Sequence, residues 1–189
     1  LQKFGFALRG FNAVMQGDVP IASGLSSSAA TELATIMAFE AAGSIHPGAN
    51  DAPNLLSAAN PINRVQAARV AQRAESEFVG VKCGIMDQFI SRLGKLNCAL
   101  LIDCRSLEYR HIPWQSGDVS LLVVDTKVKR GLVDSEYNQR RQECEAGVAA
   151  LAQALPQVRA LRDVSVAQLE EHASRLSAKT LARCRHVVG

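Results

Sequence analysis

Leu33, Ile36, Met37 and Ala41 recur at helical spacing in AATELATIMAFEAAG, Ala29 to Gly43. That spacing predicts an amphipathic helix with Gly43 as its C-terminal stop. A second helix is predicted over about Arg64 to Phe78, with Ala67, Ala71, Ala74 and Phe78 on one face. In GIMDQFISRLG, Met86, Phe89, Ile90 and Leu93 stand at i, i+3, i+4 and i+7, and Gly94 closes the element. FNAVMQGDVP, Phe11 to Pro20, alternates loosely and stops at a proline, which predicts a strand. CALLID (Cys98 to Asp103) and SLLVVDT (Ser120 to Thr126) are short apolar runs suited to buried strands. Two further helices are predicted, roughly Ser135 to Leu155 and Val166 to Leu176. The second opens on a capping box, Ser165 with Gln168. Between the first two helices, SIHPGANDAPNLLSAANPIN (Ser44 to Asn63) has exposed-loop chemistry. Helices and strands mix without the regular alternation of a doubly wound sheet, so the expected class is α+β.

Composition narrows the partners. The 189 residues carry a formal charge of +3, which is too small and too evenly spread for a nucleic-acid footprint. Aromatic residues make up only 5%, too few for base-stacking platforms. No window resembles a signal peptide or a membrane span, so no membrane is expected. Cys83, Cys98, Cys104, Cys144 and Cys184 are odd in number and irregular in spacing, and they form no metal pattern. They read as reduced thiols of a cytoplasmic protein.

The stretch PIASGLSSSAAT, Pro20 to Thr31, sets three serines behind a glycine at a helix mouth. Small residues let a ligand approach the backbone closely, and a helix N-terminus offers free N–H groups at a positive dipole end. Phosphate suits that geometry best. The residues three beyond Ser26, Ser27 and Ser28 are Ala29, Ala30 and Thr31, so no capping box closes over these N–H groups. The stretch fits neither a Walker A loop nor a nucleophile elbow. On local chemistry alone, a serine-capped helix with spare hydroxyls is an equal reading.

Two of the acids in AESEFVGVKCGIMDQF, Ala74 to Phe89, are candidates for chemistry. Glu75 lies at the edge of the second helix's apolar face, where it can point into a cleft and, with a serine hydroxyl, line a Mg²⁺ shell. Asp87 lies in the first turn of the third helix, where the dipole favours a carboxylate. The plainer readings are a solvated charge and a helix-start acid. His46, His111, His172 and His186 are too far apart to read as one ligand set, and Cys83 reads as packing.

Together these pieces resemble the GHMP small-molecule kinases, in which PIASGLSSSAA is similar to a phosphate-loop signature. CGIMDQF, ALLIDCRSL and SEYNQRRQECE resemble the galactokinase branch of that family. The resemblance implies a two-domain kinase fold with a mixed sheet packed by helices. Residues 1–112 would belong to the N-terminal domain and 113–189 would begin the C-terminal one. It implies ATP and Mg²⁺ as cofactors, galactose as substrate and a monomer. Ala22, Ser23, Gly24, Leu25, Ser26, Ser27 and Ser28 would wrap the ATP phosphates. Ser28 and Glu75 would hold Mg²⁺, Asp87 would face the sugar C1 hydroxyl as base or electrostatic anchor, and Gly84 and Tyr137 would touch the sugar.

Ala22 and Ser23 stand where the family frequently has glycine, and the Ser44–Asn63 loop is longer than the family pattern. The family's G-E-H-T-D-Y-N motif and its C-terminal glycine-rich loop are absent from these residues. The expectation is therefore an internal piece of a galactokinase, inactive alone. The rivals are a sugar kinase for N-acetylgalactosamine or L-arabinose, a non-catalytic galactose and ATP sensor on the same scaffold, and a purely structural module.

Overall fold

The computed structural model describes residues 1–21, 23–42, 45–47, 62–114, 117, 119–124 and 136–189, with backbone alone for 45–47. The chain divides into two compact units, Leu1–Arg130 and Gly131–Gly189.

In the first unit, strand β1 (Phe6–Leu8) pairs antiparallel with β2 (Ile45–Pro47). Helix α1 runs Ser27–Ala41, α2 runs Arg64–Arg73, and α3 runs Met86–Leu93. Strands β3 (Cys98–Ile102) and β4 (Tyr109–Pro113) form an antiparallel hairpin. The α+β class holds. Among the described residues the strands make two separate antiparallel pairs, and the expected mixed sheet is not formed. Pro113, expected to begin the second domain, pairs with Cys98 at the end of β4.

Small residues set how closely the helices approach. On α2, Ala67, Ala68, Val70 and Ala71 are all buried, so the helix is covered on two sides. One side packs with Leu33, Ile36, Phe6 and Ile62, the other with Ile85, Phe89 and Leu93. Asn63 caps α2 by accepting the Val65 N–H at 2.9 Å. Arg92 on α3 reaches Glu40 on α1 at 3.4 Å, and the other Glu40 oxygen accepts the Ile62 N–H at 2.8 Å. One carboxylate thus ties α1, α3 and the entry to α2 together.

The predicted elements need four corrections. The helix from Arg64 does not stay regular to Phe78, because Ala74–Val79 form a wider π turn ended by Gly80 at φ 90°. That turn rotates the chain so that Glu75 points inward, while Phe78 is 93% exposed. Met37, Met86 and Ile90 stand largely exposed, and Ile85 joins Phe89 and Leu93 inside. Phe11 to Pro20 is not a strand; its composition includes Gly17, Asp18 and Pro20, all poor in sheets. Phe11 instead packs edge-on against Phe39 of α1, ring centres 4.8 Å apart. Residues 120–124 are irregular and Leu121 to Val124 exposed, while the rest of the predicted strand lies outside the described residues.

The second unit is helical: α4 (Glu136–Ala152), α5 (Val166–Glu171) and α6 (Ala178–Val188), with single 3-10 turns at Leu161–Asp163 and Ala173–Arg175. Leu151, Val158, Leu161, Val164, Leu169 and Cys184 make its core. Ser165 and Gln168 form the predicted capping box. Among the described residues, no helix is long and apolar enough to cross a membrane.

Candidate functional site

Gly24 adopts φ +81° with open space around its Cα, so backbone conformation rather than crowding favours glycine there. Two residues on, Ser26 also takes the left-handed region, φ 59° and ψ 40°, although it carries a side chain. That conformation costs a non-glycine residue about 1–2 kcal/mol, a strain that concentrates at ligand-binding segments. Ser26 is the N-cap of α1, yet its side chain makes no capping hydrogen bond. The first intrahelical bond back to it comes from the Ala30 N–H at 3.0 Å. The N–H groups ahead of Ala30 therefore have no helical carbonyl to meet, and they lie at the positive end of a fifteen-residue helix.

That helix mouth and the start of α3 open onto the same cavity, about 530 Å³, within the range of small-molecule sites. Gly24, Ser26, Asp87 and Ser91 supply its polar groups; Leu25, Met86, Ile90, Leu100 and Ile102 supply apolar wall. Met86 and Ile90 are exposed because they line this space instead of the core. Asp87 is half-buried in the first turn of α3. The structure thus brings together the serine loop and Asp87, which are far apart in sequence.

Behind the loop lies a second cluster. Glu75 is only 6% exposed, so the solvated-charge reading fails. Its Oε1 accepts the Ser28 hydroxyl at 3.0 Å and its Oε2 accepts the Gln88 amide at 2.9 Å. The same Gln88 nitrogen donates to Glu32 Oε2 at 3.3 Å. Burial, countered by that hydrogen bond and reinforced by the Glu75 charge, raises Glu32 from 4.5 to about 7. Cys83 Sγ donates to Glu75 Oε2 at 3.6 Å. Burial first, then the Glu75 charge, pushes the Cys83 thiol up, so it is packing and not an activated nucleophile.

A hard cation fits the Ser28–Glu75 pair. Mg²⁺ takes oxygens at about 2.0–2.1 Å in octahedral array and keeps waters and phosphate oxygens beside one or two carboxylates. Adjacent ligands are then about 3.0 Å apart, the separation seen between Ser28 Oγ and Glu75 Oε1. Among the described residues, no cluster of three His, Cys, Asp or Glu offers an all-protein metal site.

The remaining predicted residues are distributed unevenly. Ala22 lies outside the described residues, as do the Ser44–Pro61 part of the predicted loop (save the β2 backbone) and Ser135. Ser23 donates its hydroxyl to the Pro20 carbonyl at 2.8 Å, which folds the loop on itself. Ser27 begins α1. Gly84 is exposed with nothing around its Cα. Tyr137 belongs to the second unit, in the first turn of α4, and is 49% exposed. His111 donates to the Leu93 carbonyl at 2.6 Å, a satisfied structural histidine.

Sequence reading missed Glu32 and Gln88. The available signal was Glu32 four residues after Ser28 on one helix face, and a glutamine beside Asp87 in an otherwise apolar turn.

Residues 1–95 match the family model described as the GHMP kinases N terminal domain. The chain belongs to the GHMP kinases. Within that family its similar proteins are galactokinases. It is 45% identical over 188 residues to the galactokinase of Roseiflexus sp. (strain RS-1), covering 100% of this chain and 44% of that protein. Against the galactokinase of Actinobacillus succinogenes it is 39% identical over 183 residues, covering 95% and 42%. The crystal structure of Lactococcus lactis galactokinase complexed with galactose superimposes with a TM-score of 0.71 at 26% identity, over 91% of this chain and 40% of that one. The chain spans less than half the length of these relatives.

Proposed function

We propose that these residues serve a galactokinase, which transfers the γ-phosphoryl group of ATP to the C1 hydroxyl of α-D-galactose. The observation that carries the reading is the shared cavity, with the α1 mouth and Asp87 opening onto one space. Phosphoryl transfer asks a protein mainly for positioning and charge stabilisation. The backbone from Ser23 to Ser28, with Ala22, takes the ATP phosphates at the α1 N-terminus. Ser28 and Glu75 hold Mg²⁺, which when bound neutralises phosphate charge. Asp87 lies at the acceptor hydroxyl, where it takes the proton or holds developing charge, and Gly84 leaves open room beside it for the sugar. Tyr137 is a further sugar contact. The free cysteines support a reducing, cytoplasmic setting.

The test is Mg²⁺-dependent ADP release by the complete reading frame that carries these residues, with galactose, N-acetylgalactosamine, L-arabinose and glucose as acceptors. Turnover on galactose is expected, and Asp87→Ala lowers kcat by about 10²–10⁴-fold. Binding of galactose and ATP without turnover would replace this reading with a sensor. Turnover on another sugar alone would reassign the substrate.

A further inference from the structure

Gln88 has no role of its own in the proposed reaction, yet it is fully buried against a residue that has one. Its single amide nitrogen donates to two carboxylates from two other elements: Glu75 in the π turn at 2.9 Å and Glu32 on α1 at 3.3 Å. The amide oxygen on the other side is buried with no hydrogen-bond partner among the described residues. Leaving such an acceptor unpaired costs about 1–3 kcal/mol. The side chain keeps that orientation because turning the amide over would break both hydrogen bonds from its nitrogen. Two acceptors from two different elements, Glu75 Oε2 and Glu32 Oε2, thus fix the amide. One Glu75 oxygen is then committed to Gln88, and the other faces Ser28.

We propose that Gln88 is the positioning residue of the cation site: oriented by Glu32, it holds one Glu75 oxygen so that the other stays beside Ser28. The proposal rests on the reading of Ser28 and Glu75 as cation ligands. Partners of this kind that orient a ligating carboxylate are worth about 10–100-fold in metal affinity. Gln88 also adjoins Asp87 on α3, so the residue that fixes the cation side is built into the turn that presents the catalytic carboxylate.

Positioning and plain electrostatics predict opposite signs. A glutamine that merely offsets two negative charges would, once removed, leave a stronger attraction for a cation. A glutamine that positions Glu75 would leave a weaker one. The probe is Mn²⁺, whose binding to the complete reading frame in saturating ATP analogue is read directly by electron paramagnetic resonance.

Gln88→Met, close in size and lacking the amide, is expected to weaken Mn²⁺ by about 10–100-fold, with the galactose KM unchanged. Gln88→Asn keeps the amide but is too short to reach both carboxylates; it is expected to weaken Mn²⁺ in the same direction, and it carries the test if the methionine variant fails to fold. Unchanged or tighter Mn²⁺ binding in a folded variant overturns the proposal. Glu75→Gln separates the two levels. If it binds Mn²⁺ as tightly as the unsubstituted protein, the cation-ligand reading falls and this proposal with it. If it loses binding while the Gln88 variants do not, only the positioning role is lost.

Discussion

Glu32 lies one helical turn beyond Ser28 on α1, half-buried, with its carboxylate directed at Gln88. Burial outweighs the hydrogen bond and raises it from 4.5 to about 7. Between those values the folded chain retains a proton that the unfolded chain has released. Stability therefore falls as pH rises through that window. Thermal midpoints measured from pH 4.5 to 7 should decline by more in the native chain than in Glu32→Gln. Equal slopes would mean that Glu32 does not titrate there. At this scale local chemistry made Ser28 visible as one of three hydroxyls at a helix mouth, and Glu75 and Asp87 as acids at a helix edge and in a first helical turn. Their roles came only from the family resemblance. Gln88 stayed hidden because a neutral amide has no chemistry of its own; its role exists only through two acids more than ten residues away on other elements.

Periodicity located α1, α2 and α3, although parts of their predicted faces lie outside the core. It failed where the backbone leaves the regular repeat. The π turn at Ala74–Val79 rotates Glu75 inward and Phe78 outward, and no side-chain pattern announces an extra residue in a turn. Strand β4 was missed because its sequence, YRHIP, is polar and mostly exposed; it is a strand because β3 is there to pair with it. Helix α6 was missed for a related reason, its inward contact being concentrated on Cys184, which is fully buried against α4. Gly147 of α4 faces that thiol, and a Cβ there would collide with Cys184 Sγ. Gly147→Ala should cost about 1–3 kcal/mol through overpacking, despite alanine's better helix propensity. Urea unfolding measures it, and a stabilised variant would show that α4 and α6 pack less closely than described.

At the scale of the molecule, the cavity is open, walled by two helix starts and one face of the β3–β4 hairpin, while the relatives are more than twice as long as this chain. Leu121, Leu122, Val123 and Val124 lie together on the surface. The expected outcome is that these 189 residues alone phosphorylate galactose at less than about 1% of the rate of the complete reading frame, because positioning and water exclusion supply much of the rate. Comparable turnover by both would locate the whole catalytic apparatus here. The sequence by itself determined the helices with clean apolar stripes, the α+β class and the local chemistry of the serine loop. Those are properties of neighbours along the chain, and short-range sterics and hydrogen bonding decide them. Tertiary structure alone decided that Ser26 and Asp87 open onto one cavity, that Glu75 is buried beside Ser28, and that Gln88 joins Glu75 to Glu32. Each of these joins residues from different helices, and their approach is set by how closely the alanine faces of α2 let α1 and α3 pack.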